Sequence, residues 1–303
     1  MSIRADRRDI VVGIDGSNTA LNAARWAAYL AVALRAPLVL ANVLTGPYFR
    51  SETTALSRSE DPGREDYLGQ SVRIARVLLD QAAELLRTCT PELPVTTEIL
   101  HGSAHSALRR RTERARMLVV GADTAFGSKL LGATAIHVAL HGHCPVGVWR
   151  GDAGRPIPRD RTIAVGVDGT ALSEPAIGHA FELADALRVP LTAVHLWSPA
   201  RIPPIGGYID RNAEEQAVLS ESLAGWSERF PDVEIIPVPV PAIPAAFLTE
   251  IAHTAQLLVI GTHGRSLLGA ALFGSTSREL LQQAPCPVLV CRSEPSAGED
   301  RPR

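Results

Sequence analysis

Lysine is almost missing from this chain. Lys129 stands alone, and the other basic residues are arginine, a skew that fits genome composition better than function. With 30 Lys+Arg against 32 Asp+Glu the formal charge is −2, which excludes a strongly basic whole-protein footprint for nucleic acid. No apolar run reaches the roughly 18–20 residues that cross a bilayer, so no membrane span is expected. Cys89, Cys144, Cys286 and Cys291 contain no Cys-x-x-Cys pair, and four cysteines in 303 residues do not build a disulfide framework. Cys144 and Cys286 each stand against a proline and an apolar run, so buried free thiols are expected there. The charged start Met1–Asp9 runs into a short apolar stretch ending at Gly13-Ile14-Asp15, unlike a secretory signal. A cytoplasmic protein is expected.

What is present is a globular composition, 46% hydrophobic and 20% charged, in a length that suggests two domains at roughly 150 residues each. An internal repeat supports that division. Ile10-Val-Val-Gly-Ile-Asp-Gly-Ser17 recurs 153 residues later as Ile163-Ala-Val-Gly-Val-Asp-Gly-Thr170. Met117-Leu-Val-Val-Gly121 recurs after 140 residues as Leu257-Leu-Val-Ile-Gly261, and Cys144-Pro-Val146 after 142 as Cys286-Pro-Val288. Copy one covers residues 8–150 and copy two 160–293, joined by a segment with two glycines and two prolines that reads as a linker.

Short continuous apolar runs predict strands buried on both faces: Ile10–Ile14, Leu38–Val43, Met117–Val120 and Val146–Trp149, then Ile163–Val167, Leu191–Leu196, Leu257–Ile260 and Val288–Cys291. Between them lie helical periods, such as the face Ala20, Ala23, Ala24, Ala27, Leu30, Ala31 and Leu34. Ser173-Glu174-Pro175 reads as a helix start. Alternating strand and helix predict an α/β chain: two tandem open, mainly parallel sheets flanked by helices. Polar segments at 45–67 and 198–210 each follow a strand's C-terminal end, where such sheets bind ligands. Each reads as a lid over a ligand or as a plain connection.

Two patterns carry chemistry. Gly261-Thr-His-Gly264-Arg265 leaves the strand Leu257–Ile260, and Gly274-Ser275-Thr276-Ser277 opens a helix. Backbone N–H groups, hydroxyls and the positive end of the helix dipole at that point suit a phosphate. The same glycines also serve as turns, with Ser275 as a helix cap. Asp15-Gly16-Ser17 and Asp168-Gly169-Thr170 place a carboxylate at a strand end, where it accepts from a ribose or an adenine amine, or caps the next helix.

On these residues both copies resemble universal stress protein domains, of the adenine nucleotide alpha hydrolase-like α/β type with five strands. The family's ATP-binding pattern Gly-x2-Gly-x9-Gly-Ser/Thr is met by Gly261, Gly264, Gly274 and Ser275. Its opening Val-Asp-Gly-Ser/Thr and closing Cys-Pro-Val also match, with Ile14 in place of the valine in copy one. The resemblance implies that Asp168 contacts the adenosine, and that Leu196 lends backbone contacts to adenine. It implies that Gly261 and Gly264 shape the loop, and that Gly274, Ser275, Thr276 and Ser277 hold the phosphates of ATP, with Mg2+ accompanying it. Arg265 adds a cation to the phosphates or points to water.

Copy one departs from the pattern. Thr124 stands at the second glycine, the segment between Gly121 and Gly132 is two residues short, and Ala133 replaces the hydroxyl residue. Asp15, Val43, Gly121, Gly132 and Thr134 remain, and a weakened or lost site is expected there. No catalytic residue or metal ligand set stands out. Two of His137, His141 and His143 on one helix turn could chelate zinc but need a fitting carboxylate or thiolate as third ligand, and nearby Cys144 reads as structural by its match to Cys286; Arg109–Arg116 reads as a solvated face. The Walker pattern is absent. The resemblance therefore implies an ATP-binding regulator in stress or dormancy, with a slow ATPase or nucleotidyl transferase and a non-binding scaffold as rivals. It also implies that the terminal strands pair within the chain as a pseudo-dimer, with a homodimer of whole chains open.

Overall fold

The structure is a computed structural model that describes residues 8–45, 62–122, 131–150, 159–197, 207–261 and 274–292, with backbone alone at 62–66 and 207–210. The chain divides into two compact units, Met1–Ile157 and Pro158–Arg303. Unit 1 runs β1 (Ile10–Gly13), α1 (Asn18–Ala33), β2 (Leu38–Leu44), α2 (Pro62–Cys89), β3 (Val95–His101), α3 (Ala104–Arg111), β4 (Met117–Gly121), α4 (Ala133–His141) and β5 (Val146–Trp149). Unit 2 repeats the order with β6 (Thr162–Val167), α5 (Glu174–Leu187), β7 (Leu191–Trp197), α6 (Gly207–Arg229), β8 (Ile235–Pro241), α7 (Pro244–Thr254), β9 (Ala255–Gly261), α8 (Ser275–Gln283) and β10 (Val288–Cys291).

Every strand pair within a unit is parallel. The order is β3-β2-β1-β4-β5 in unit 1 and β8-β7-β6-β9-β10 in unit 2. The chain therefore leaves β1 and β6 in one direction and returns on their other side, which makes a switch point where loops part and a crevice opens. The expected strands are all present. Helix α2 reaches back to Pro62, into the stretch expected as loop, and the remainder of that stretch, 46–61, lies outside the described residues.

Helices lie close on the sheet because the contact residues are small. Helix α1 buries Ala20, Ala23, Ala24, Ala27, Leu30 and Ala31 as its period requires, and adds Trp26 and Ala28. Trp26 fits because Gly147 on β5 has no side chain: a Cβ there would meet the indole at 2.8 Å. In unit 2 the aromatic packing moves outward, where Phe181, Trp226 and Phe230 lie with ring centroids 6.0–6.5 Å apart.

The helix starts differ between units. Ser17 caps α1, its Oγ accepting from Ala20 N at 3.1 Å. Ser173 stands at the same place before α5, but its hydroxyl donates backward to the Thr170 carbonyl at 2.9 Å. The outer strands differ too. In β8, Ile236, Val238 and Val240 face β7, so Pro237, Pro239 and Pro241 turn their nitrogens to the open edge. In β3 the matching positions are Thr97, Ile99 and His101.

The basic run is held internally. Arg111 pairs with Asp9 and with Glu98, the latter at 2.7 Å, and Arg116 donates to the Leu34 carbonyl at 3.3 Å. Among the described residues, no helix is long and apolar enough to cross a membrane.

Two outcomes follow from this packing. A Cβ at Gly178 would meet the Trp226 ring at 2.5 Å, whereas one at Gly225, within α6, meets nothing within 4 Å. Gly178→Ala should lower stability by about 1–3 kcal/mol, while Gly225→Ala should raise it by roughly 0.5–1 kcal/mol; urea unfolding of both variants distinguishes the signs. Cys144, Cys286 and Cys291 are buried and Cys89 is exposed. Burial pushes the Cys286 thiol up to about 12, so it stays protonated. A thiol reagent at pH 8 should label Cys89 rapidly and the other three only after denaturation.

Candidate functional site

The switch point gathers the end of one strand, the end of its neighbour and the start of a helix. In unit 2, Asp168 follows β6, and its Oδ1 accepts from Thr170 N at 2.8 Å and Thr170 Oγ1 at 2.7 Å. Gly169 makes the turn with φ +73°, as Gly16 does with φ +86° in unit 1, where Asp15 Oδ1 accepts from Ser17 N at 2.9 Å. Both carboxylates thus hold the strand-to-helix turn, and Asp168 is the less exposed of the two.

Gly261 ends β9 and Gly274 precedes α8 with no side-chain cap. The first N–H groups of a helix have no acceptor within it, so those of Ser275, Thr276 and Ser277 look outward from α8 at the positive end of the dipole. Ser277 Oγ donates to the Gly261 carbonyl at 3.2 Å and so clamps the helix start to the strand end. Its hydroxyl proton is spent on that bond, which leaves its N–H as the group it offers. A Cβ at Gly274 would meet nothing within 4 Å, and its φ is −56°. Among the described residues neither packing nor backbone conformation calls for a glycine there, and a position without a side chain leaves room for close approach of a ligand. Gly264 and Arg265 lie outside the described residues.

Unit 1 has the frame without the hydroxyls. Gly132 precedes α4 and bonds back to the Ala122 carbonyl at 2.8 Å. Ala133 and Ala135 stand where unit 2 has Ser275 and Ser277, so that no clamp forms, and Thr134 alone keeps a hydroxyl. Gly121 has a packing reason: a Cβ there would meet the α1 backbone at Thr19 and Ala20 at 3.0–3.1 Å. Thr124 lies outside the described residues.

The second strands contribute polar groups that sequence reading passed over. Val43 and Leu196 sit near the ends of β2 and β7, and the residues before them, Asn42 and His195, are buried. Asn42 Nδ2 donates to the Ile14 carbonyl at 2.7 Å, and His195 Nδ1 meets the Val167 carbonyl at 2.8 Å. His195 Nε2 lies 2.7 Å from Glu215 Oε2 on α6, whose other oxygen accepts from Arg211 at 2.6 Å. Burial pushes the Glu215 carboxyl up, but the His195 hydrogen bond and the Arg211 charge together hold it below the usual range. Polar residues at matching places in two apolar runs were the available signal.

The histidines of unit 1 regroup. His105, His137 and His141 form a row with successive centroids 4.7 Å apart, the first pair edge-on and the second tilted, while His143 turns to Arg109 at 2.9 Å. Burial, then the charges of His141, His105 and Arg109, lower the His137 pKa. Among the described residues, no group of three or more His, Cys, Asp or Glu side chains is arranged to hold a metal ion.

Because the Glu215 carboxyl is depressed in the folded chain, its stabilisation is complete above the usual carboxylate range and is lost as pH falls through its lowered value. Glu215→Gln should cost roughly 1–3 kcal/mol at pH 7, and urea midpoints of parent and variant should converge as the pH is lowered toward 3.

The sequence model of the universal stress protein family matches residues 6–150 and again 160–292. A universal stress protein of Mycolicibacterium smegmatis is 36% identical over 298 residues, covering 93% of this chain and 96% of that one. One from Mycobacterium tuberculosis is 33% identical over 302 residues, with 96% and 99% covered. The crystal structure of a universal stress protein from Archaeoglobus fulgidus superposes with a TM-score of 0.67 at 16% identity, covering 94% of this chain and 98% of that chain, a likeness of fold. With two family matches spanning nearly its whole length, the chain belongs to the universal stress protein family.

Proposed function

We propose that unit 2 binds an adenine nucleotide, ATP, and that its occupancy serves a regulatory role in stress or dormancy. The observation that carries this reading is the start of α8 beside the end of β9: three N–H donors without acceptors inside the helix, a clamp from Ser277 to Gly261, and a Gly274 whose added Cβ would meet no described atom within 4 Å. A phosphate chain fits that chemistry, and Mg2+ would arrive with it. Asp168 and the Leu196 backbone stand at the neighbouring strand ends for the adenosine. Gly264 and Arg265 join the phosphate side on the strength of the sequence pattern. The sequence supplies no obvious general base or Walker-type magnesium residue, so the reading favours binding, with nucleotide as a signal, over efficient hydrolysis. In unit 1, Asp15, Val43, Gly121, Gly132 and Thr134 form a reduced version that binds weakly or not at all. The same reading pairs β5 and β10 within the chain, since each is an apolar edge in its own unit.

The test is stoichiometry. Protein purified without added nucleotide is denatured, and the released small molecules are identified by mass spectrometry beside a direct ATP titration. One ATP per chain is expected. Gly274→Asp, which introduces a carboxylate into open space without a packing clash, should weaken binding at least about tenfold, and Gly132→Asp should leave the stoichiometry unchanged. Two ATP per chain would contradict the reduced site in unit 1. No affinity at millimolar ATP would favour the scaffold.

A further inference from the structure

The formal charge of −2 conceals a polarity along the chain. Met1–Ile157 holds 19 basic and 15 acidic residues, whereas Pro158–Arg303 holds 11 and 17. Unit 1 therefore carries +4 and unit 2 −6, with histidine counted neutral. The long helices show where part of this difference sits. Helices α2 and α6 hold equivalent places, each packed on the second and third strands of its unit. At their ends Thr90 N bonds to the Leu86 carbonyl and Phe230 N to the Trp226 carbonyl, which aligns the two helices at an offset of 140 residues.

Their outward faces differ in kind. Helix α2 exposes Arg73, Ile74, Arg76 and Val77, with Ile74 and Val77 55% and 54% exposed. Tyr67, seven residues before Ile74, is exposed on the same side. The equivalent places on α6 hold Ala213, Glu214, Gln216 and Ala217, followed on that face by Ser220, Glu221, Ala224 and Glu228, all exposed. Bulk and positive charge on one helix thus stand where the other has short side chains and carboxylates. Glu84 is matched by Arg87 at 2.6 Å, and Glu214 lies 3.4 Å from Arg211. Among the described residues, Arg73, Arg76, Glu221 and Glu228 are in no ion pair. A single exposed aliphatic side chain calls for no partner. A bulky pair one turn apart, rimmed by unpaired arginines, has the make-up of a contact surface.

We propose that the α2 face of unit 1 docks on the α6 face of unit 2 in a second copy of this chain. Charge complementarity chooses the occupant. A unit of +4 and a unit of −6 attract between molecules, while like units repel, so two copies meet with unit 1 of one on unit 2 of the other. Shape agrees with charge. Ile74 and Val77 stand three residues apart, as do Ala217 and Ser220, so the bulky pair on one helix meets a shallow row of the same spacing on the other. Arg73 and Arg76 then come beside the unpaired carboxylates of Glu221 and Glu228. The alternatives within the same surfaces are poorer: α6 on α6 opposes carboxylates, and α2 on α2 sets bulk against bulk. One helix pair is a small contact, so the association is weak and salt-dependent. The inference does not rest on the nucleotide reading of unit 2.

Sedimentation equilibrium of the full chain reads the association directly. The average mass of the parent should rise above that of one chain between about 1 and 100 μM. The rise should shrink as salt goes from about 0.05 to 0.5 M. Two charge reversals are made at exposed positions: Arg73→Glu with Arg76→Glu, and Glu221→Arg with Glu228→Arg. Each alone gives every copy two faces of one sign and should weaken association at least about tenfold. Mixed together, they should associate like the parent, because each α2 then finds an α6 of opposite charge on the other variant. Recovery on mixing is a result that misfolding of either variant cannot produce. Ile74→Ser with Val77→Ser, which keeps every charge, should also weaken association at least about tenfold. A parent that remains one chain at about 100 μM overturns the proposal. So does association of the Glu221→Arg, Glu228→Arg variant at the parent's strength, which would place α2 against something other than α6. A mixture no heavier than its separate components overturns it as well.

Discussion

A parallel sheet covered on both faces has no room for polar chemistry except at its strand ends, and that constraint organises each half of this chain. The central strands are apolar on both sides because helices cover both. The backbone groups of each strand are consumed by neighbours until the strand stops. Where β1 and β6 stop, the chain leaves in opposite directions on the two sides, and a crevice opens. Asp15 and Asp168, Asn42 and His195, and the starts of α4 and α8 all lie at that level. Stability and the proposed function therefore draw on different parts of the same strands: their middles make the core, and their last residues frame the candidate site.

The duplication shows which parts of that site the fold requires and which are additions. A turn held by an aspartate, a glycine in the left-handed region and a side chain on the strand-end carbonyl occur in both units. They persist in unit 1, where Ala133 and Ala135 stand at the places of Ser275 and Ser277, so they belong to the architecture. The Ser277 clamp and the His195–Glu215–Arg211 chain occur in unit 2 alone. They coincide with the complete glycine pattern, as parts of one working site would.

Much of this was legible in the residues. Apolar runs marked the strands, and the repeat showed that a single reading had to serve twice. The helix start at Ser275 was visible because a glycine and three hydroxyl residues interrupt two apolar segments. What escaped reading has a common physical cause. The tie from His195 to Glu215 joins residues on different elements, and nothing in either local sequence announces the other. The backward-turned hydroxyl of Ser173 depends on where the Thr170 carbonyl falls after the Asp168 turn, which a cap signature does not encode. Trp26 was absent from the expected α1 face because the space that receives it is made by a missing side chain on β5.

The prolines of β8 have a consequence of a different kind. With Pro237, Pro239 and Pro241 on the open side, that margin of unit 2 has no N–H to offer at three alternate positions, in any solvent and at any protein concentration. A foreign strand laid there would find acceptors only, and would gain too little to stay. The protection is covalent, unlike a charged edge that salt can screen. The corresponding margin of unit 1 carries threonine, isoleucine and histidine, which keep their amides. Recruitment of an extended segment, whether from an unfolding neighbour or from a binding peptide, is thereby biased toward one named strand, β3, and the two halves of a nearly symmetric chain differ in which of them another chain can grip.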